Sequence, residues 1–228
     1  MRTIVLWDID NTLLYTGGAG GIGMNRAFRD IYGVEDGFSR VEFSGRSDAA
    51  IFGDAARAHG IAEDELLAER TRFLDVYIPH LQTAMHEVTT GRLMPGVVDL
   101  LEALDAREDV VQGLGTGNFR RAGELKLRHY KIAGYFPGCV GGFGEDSEHR
   151  HELVGAGIAR LRKCGDDDRI VIIGDTPHDV SAAKANGAFA LAVATGRDSV
   201  DELLASGADA AVADLSDVDR VIATMLGA

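Results

Sequence analysis

Thr3-Ile4-Val5-Leu6-Trp7, followed at once by Asp8-Ile9-Asp10-Asn11-Thr12, is the stretch on which the fold turns. Five consecutive apolar or β-branched residues without polar alternation mark a strand buried on both faces, as in a parallel sheet covered by helices. Two aspartates follow its C-terminal end, two positions apart. The strand period of two sends both side chains the same way. They converge where open α/β sheets hold their ligands, outside the carboxyl ends of the strands.

The same signal recurs at Val110–Leu114, Arg169–Ile173, Phe189–Val193 and Ala210–Ala213. Helical patterns lie between. Val97, Val98, Leu100, Leu101 and Leu104 repeat at helical spacing after Pro95-Gly96; Leu153, Ile158 and Leu161 suggest a second helix, and Val180–Asn186, stopped by Gly187, a third. This alternation predicts an α/β fold, a Rossmann-like open parallel sheet with right-handed crossovers. One interval breaks the rhythm: about eighty residues separate the first strand from the Pro95 helix, where a crossover needs one helix. Inside it, Ala49–His59 reads as a helix, and Leu66, Leu67, Leu74, Tyr77, Ile78 and Leu81 keep helical spacing with an interruption expected near Pro79. A small helical domain, residues 15–92, is therefore expected as an insert in a core of residues 1–14 and 93–228.

At 228 residues, 46% apolar and 26% charged, the chain has ample material for a buried core and is expected to fold throughout. The formal charge of −13 repels nucleic acid and anionic membrane surfaces, so neither is an expected partner. No apolar run reaches the ~18 residues of a membrane span. The N-terminal stretch has no signal-peptide h-region, so a cytoplasmic location is expected. Cys139 and Cys164 have no metal-ligand spacing and read as reduced, buried thiols.

Three strand ends carry chemistry. The first ends in Asp8 and Asp10, the second in Gly115-Thr116-Gly117-Asn118, and another in Gly174-Asp175, with Asp179 four residues on. Crowded carboxylates disfavour one another's ionised forms, and the usual remedy is a hard cation. Mg²⁺ fits, because it prefers oxygen ligands and keeps waters that a phosphate oxygen can displace. A carboxylate can also attack phosphorus and split one hard displacement into two easier ones. A lone Asp after a strand is ordinarily a helix cap or turn residue. That explanation would suffice for Asp175 or Asp179 singly, but it does not cover both motifs together.

Asp8-Ile9-Asp10-Asn11-Thr12 and Gly174-Asp175-Thr176-Pro177-His178-Asp179 resemble the DxDxT and GDxxxD motifs of the haloacid dehalogenase-like hydrolase superfamily. The resemblance covers nearly the whole chain in the expected order, and phosphoglycolate-phosphatase-like members are the nearest general likeness. It implies Asp8 as nucleophile and Asp10 as general acid/base. Thr116 is implied as the hydroxyl that bonds the phosphoryl group, with Thr12, Gly117 and Asn118 lining the substrate. Asp8, Asp175, Asp179 and the Asp10 carbonyl are implied as holding Mg²⁺. The insert corresponds to the family's helical cap, which closes over substrate. The expected substrate is a small phosphorylated metabolite; oligomeric state is left open.

The family's third motif is usually a Lys, and the stretch Gly142–Leu153 contains none. Arg150, opening a predicted helix, is the expected substitute, since a guanidinium also neutralises nucleophile and phosphate. Lys163, at the far end of that helix, is a poor candidate. Arg46, in Gly45-Arg46-Ser47-Asp48 of the insert, is a candidate grip on substrate, weighed against a solvated helix-start arginine. Gly17–Gly21 reads as a hinge rather than a phosphate nest. Gly113, Gly115 and Gly117 fail the dinucleotide fingerprint because Asn118 stands in place of the third glycine. His149, His151 and His178 lack a zinc-like third partner and read as surface residues. Asp10 disfavours dehalogenation, since the dehalogenases lack that carboxylate. A cap-lysine Schiff base is disfavoured because the first Lys of the chain is Lys126. Two alternatives to a phosphatase remain: a sugar-phosphate mutase, and a catalytically silent binding protein.

Overall fold

The computed structural model describes residues 2–162 and 167–227; Lys163 and Cys164 lie outside them. In chain order the sheet strands are β1 (Thr3–Trp7), β4 (Val110–Gly115), β5 (Gly141–Gly142), β6 (Arg169–Gly174), β7 (Phe189–Val193) and β8 (Ala210–Val212). They form one six-stranded sheet of order β5-β4-β1-β6-β7-β8, with every pairing parallel. The strand carrying both aspartates is thus internal, flanked by the strands that end in Thr116 and Asp175. Register aligns the three ends: Trp7 pairs with Leu114 on one side and Ile173 on the other.

Strand alternation splits the core into two layers. Val5, Trp7, Val171, Ile173, Leu191 and Val193 face one side, against Leu100, Leu101 and Leu104 of α4 (Val97–Asp105) and Val221 and Met225 of α9 (Val218–Leu226). Ile4, Leu6, Ile170, Ile172, Ala190 and Ala192 face the other. There they meet Leu153, Val154 and Ile158 of α6 (Arg150–Leu161), Val180 and Ala183 of α7 (Pro177–Ala185), and Leu203 of α8 (Val200–Ala205). The strands therefore read as continuous apolar runs, because each face is covered.

The interval between β1 and α4 holds α1 (Ala19–Tyr32), α2 (Asp48–Ala58) and α3 (Leu66–Glu87), entered and left through an antiparallel ribbon of β2 (Leu14–Tyr15) and β3 (Arg92–Leu93). These helices bury a cluster of their own, Met24, Phe28, Ile51, Phe52, Phe73, Tyr77 and Leu81 among its members, joined by Phe119 and Ala122 from the start of α5 (Arg120–His129).

Two expectations change. Pro79 does not interrupt its helix: α3 runs unbroken through it to Glu87. A single missing N–H is offset by the packing of Phe73, Tyr77, Leu81, Ala84 and Met85 on one side. The glycine run divides. Gly17 and Gly18 take left-handed φ of 66° and 89°, as a turn needs, whereas Gly20, Gly21 and Gly23 continue into α1. Gly23 is there for space: a Cβ would stand 3.0 Å from the Leu81 backbone of α3.

Candidate active site

Past Trp7 the chain turns sharply. The Asp8 amide still donates to Ile173 O at 2.9 Å, prolonging the parallel ladder, and Asn11 then takes a left-handed φ of 59°. The turn closes by donation from the Leu13 and Leu14 amides to Ile9 O. Asp8 is left buried at the strand end, with Asp10 above it on the cleft wall.

Asp8, Asp175 and Asp179 present carboxylate oxygens that all lie within 4.8 Å of one another, each residue buried. Against these three stands one guanidinium. Arg150 Nη2 lies 2.6 Å from Asp8 Oδ1 and 2.6 Å from Asp179 Oδ1, with Nε donating to the latter at 3.0 Å. Burial pushes the Asp8 carboxyl up to about 6 despite the pull of Arg150. Asp175 rises to about 8, from burial first and then from Asp8 and Asp179. Fully ionised, three acids against one cation would leave an excess of two negative charges in a desolvated place, and the raised carboxyls show the cost of that. That oxygen-only donor set fits a hard divalent cation.

The neighbours show why each side chain points inward. Thr176 caps α7, its hydroxyl accepting from the Asp179 amide, and Asp179 Oδ2 accepts in return from the Thr176 amide at 3.1 Å and its hydroxyl at 2.7 Å. The fixed α7 start thus aims Asp179 Oδ1 at Arg150. Thr12, expected at the substrate, is fully buried, and its hydroxyl donates to Asp175 Oδ1 at 3.4 Å.

A second network surrounds Asp10. Lys126 Nζ lies 2.8 Å from Asp10 Oδ1, 2.6 Å from Oδ2 and 2.6 Å from Asn118 Oδ1. Asn118 Nδ2 donates to Asp10 Oδ2 at 2.8 Å and to Thr116 Oγ1 at 2.8 Å. Thr116 is fully buried at the end of β4, while Gly117 and Asn118 line the cleft. Lys126 was given no role by the sequence reading. The available signal was its position: it shares the buried face of α5 with Ala122, Gly123 and Leu127, where an ammonium needs a carboxylate partner.

The inserted helices complete the enclosure. At the start of α2 the Ser47 hydroxyl accepts from the Ala50 amide. The Asp48 amide donates to Gly117 O at 2.7 Å, and Asp48 Oδ2 accepts from the Phe119 amide at 2.8 Å. Gly117 is obligatory here, since a Cβ would meet Arg46 O at 2.5 Å. Burial drives the Asp48 carboxyl up to about 7 against the opposing pull of Lys126 and the Phe119 N–H. Arg46 lines the cleft but is paired with Asp54 at 2.7 Å. The resulting cleft, about 490 Å³, is lined by Asp8, Asp10, Lys126, Arg150 and Asp175 from the sheet side, and by Asn25, Arg46, Asp48 and Tyr77 from the inserted helices. His149 and His151 stack at 6.0 Å beside a neighbouring hollow that His178 also lines, and none joins the acidic triad.

The family model of haloacid dehalogenase-like hydrolases matches residues 5–184, and that of HAD-like hydrolases matches 152–218. The first spans well over half of the chain: the protein belongs to the haloacid dehalogenase-like hydrolase family. No curated protein matches it significantly. Among solved structures, CbbY from Rhodobacter sphaeroides in complex with phosphate superposes with a TM-score of 0.72 at 18% identity, covering 96% of each chain. A predicted phosphatase from Clostridium acetobutylicum gives 0.68 at 18%, covering 97% of this chain and 98% of its own. A hydrolase from Pseudomonas syringae gives 0.68 at 19% with the same coverage. At these identities the likeness establishes the shared fold.

Proposed function

We propose that this hydrolase is a Mg²⁺-dependent, cytoplasmic phosphatase of small phosphorylated metabolites, working through an aspartyl-phosphate on Asp8. The observation that carries the reading is the meeting of Asp8, Asp175 and Asp179 around one shared space with a single guanidinium. Asp8, Asp175, Asp179 and the Asp10 backbone carbonyl would hold the ion. When bound, Mg²⁺ supplies the positive charge that lets carboxylate and phosphate approach each other.

The protein's own groups do the rest. Asp8 Oδ attacks phosphorus as the ester P–O bond breaks, and Asp10, entering this step in its protonated form, gives its proton to the departing alkoxide and becomes the carboxylate. A water then loses its proton to Asp10 and attacks the same phosphorus. The Asp8–phosphorus bond breaks, orthophosphate leaves and the carboxylate is restored. Arg150 offsets charge at the nucleophile, as the family's usual lysine would, with two donors in place of a point charge. Lys126 and Asn118 fix the Asp10 carboxylate, and Asn118 in turn orients the Thr116 hydroxyl. The inserted helices act as a cap, docking Arg46–Asp48 on Gly117–Phe119 so that bulk water is kept from the covalent intermediate.

Purified protein screened against phosphate monoesters with Mg²⁺ or with EDTA tests this directly, orthophosphate release being expected only with the metal. Asp8→Asn should lose turnover by at least ~10⁴-fold while still unfolding cooperatively. Substantial turnover in that variant would end the nucleophile assignment.

A further inference from the structure

Tyr77 and Asn25 stand out on the part of the cleft wall that the inserted helices supply. Among the described residues, two buried side-chain polar atoms lack any hydrogen-bond partner: the Tyr77 hydroxyl and Asn25 Oδ1. Both residues line the same cleft as Asp8 and Asp10. Buried polar groups are ordinarily satisfied, and leaving one unpaired costs about as much as a broken hydrogen bond. Two orphans on one wall of one cleft are the imprint of a ligand that supplies their partners.

Their chemistry is complementary. Tyr77 is fully buried, and burial together with nearby Asp48 and Asp10 raises its phenol well above the ordinary value, so it stays a neutral donor. Asn25 uses its amide nitrogen on Gly21 O at 3.1 Å, which leaves Oδ1 as a free acceptor. The Tyr77 hydroxyl lies 3.8 Å, and Lys126 Nζ 3.9 Å, from the point where a Cβ on Gly20 would stand, so the absent side chain keeps space open between them. A donor and an acceptor in the lining of one cleft match alcohol hydroxyls, each of which both accepts and donates.

Charge narrows the class. Three of the four cations lining the cleft are engaged: Lys126 with Asp10, Arg150 with Asp8 and Asp179, and Arg46 with Asp54. Arg197, exposed and with no partner among the described residues, directly follows Gly196, which packs against the Asp175 carboxylate at the phosphoryl end. The Tyr77 end therefore offers hydroxyl-matching groups and Asp48, and no free cation for a carboxylate.

We propose that Tyr77 and Asn25 form the leaving-group subsite, and that the substrate is the phosphate monoester of a neutral, hydroxyl-bearing alcohol such as a small polyol or sugar. This rests on the phosphatase reading above. The test compares glycerol 1-phosphate, phenyl phosphate and 2-phosphoglycolate, each with Mg²⁺, on wild type and on Tyr77→Phe. Wild type should favour glycerol 1-phosphate over 2-phosphoglycolate. Tyr77→Phe should lower the glycerol-to-phenyl ratio of kcat/KM by about 5- to 10-fold, the worth of one neutral hydrogen bond. Its melting temperature should not fall, because the hydroxyl has no partner in the protein. An unmoved ratio, a marked loss of thermal stability, or a wild-type preference for the carboxylate-bearing ester overturns the subsite. No phosphate release from any of the three by wild type would instead overturn the phosphatase reading beneath it.

Discussion

Replacing Arg150 by Ala removes the one cation from a buried cluster of three carboxylates. Its guanidinium lies 2.6 Å from both Asp8 and Asp179, and the side chains are only 10%, 11% and 3% exposed. Two unit charges about 4 Å apart at an effective dielectric near 20 interact by about 4 kcal/mol. Much of that gross attraction offsets desolvation, but removing one partner strands the others, and broken buried pairs cost about 3–5 kcal/mol. Arg150→Ala should therefore lose roughly 3 kcal/mol or more in EDTA, measured by urea denaturation followed through Trp7, which is fully buried beside Asp8. Millimolar Mg²⁺ should return a good part of this loss, because an ion held by the same carboxylates offsets charge that the guanidinium no longer neutralises. Turnover should fall at least ~100-fold. Arg150→Lys should recover part of both, since an ammonium can neutralise Asp8 but cannot also bridge Asp179 with two donors. If Arg150→Ala unfolds within about 0.5 kcal/mol of wild type in EDTA and gains nothing from Mg²⁺, the cluster does not carry the charge assigned to it.

Lys126→Met keeps length and apolar bulk while removing the ammonium from Asp10; kcat should drop about 10- to 100-fold with little change in KM, and a change within twofold would refute the positioning role. Asp48→Asn keeps the acceptor for the Phe119 N–H and deletes a carboxyl raised from 3.8 to about 7. The folded wild type retains that proton up to about pH 7 while the unfolded chain releases it near 4, so the wild type loses stability as pH rises through this window. The variant should match wild type near pH 4 and exceed it at pH 8 by on the order of 1–3 kcal/mol. Parallel urea-unfolding curves at the two pH values would contradict this.

The sheet was legible because parallel strands covered on both faces have no polar alternation to blur them. β1 and β7 match their expected bounds, and β4 and β6 run one residue further, to Gly115 and Gly174. The short elements were not. β2, β3 and β5 have two residues each, and α5 has a strongly polar sequence whose buried side includes Lys126. Neither periodicity nor propensity can register them. The meeting of Asp8, Asp175 and Asp179 was legible because parallel strands end at one edge of the sheet, and the place of Arg150 beside them because it opens the helix before β6. What a lone sequence hides is pairing across distance. Asp10 and Lys126 are separated by 116 positions, and the orphaned Tyr77 hydroxyl is visible only once nothing is found within its reach. Thr12 belongs to the same lesson: its place in the motif is plain, while its bond to Asp175 comes from tertiary packing.

Strand β1 has two neighbours on one side and three on the other. Its amides should be among the slowest in the molecule to exchange with deuterium, so Asp8 hangs from a backbone that opens only with the sheet around it. Helices α1 to α3 carry an apolar cluster of their own and meet the rest through the β2–β3 ribbon, through Phe119 and Ala122, and through the bonds of Asp48 to Gly117 and Phe119, none of which lies on β1. Substitutions in the inserted helices that line the cleft can therefore reshape its mouth while the three strand ends stay in register.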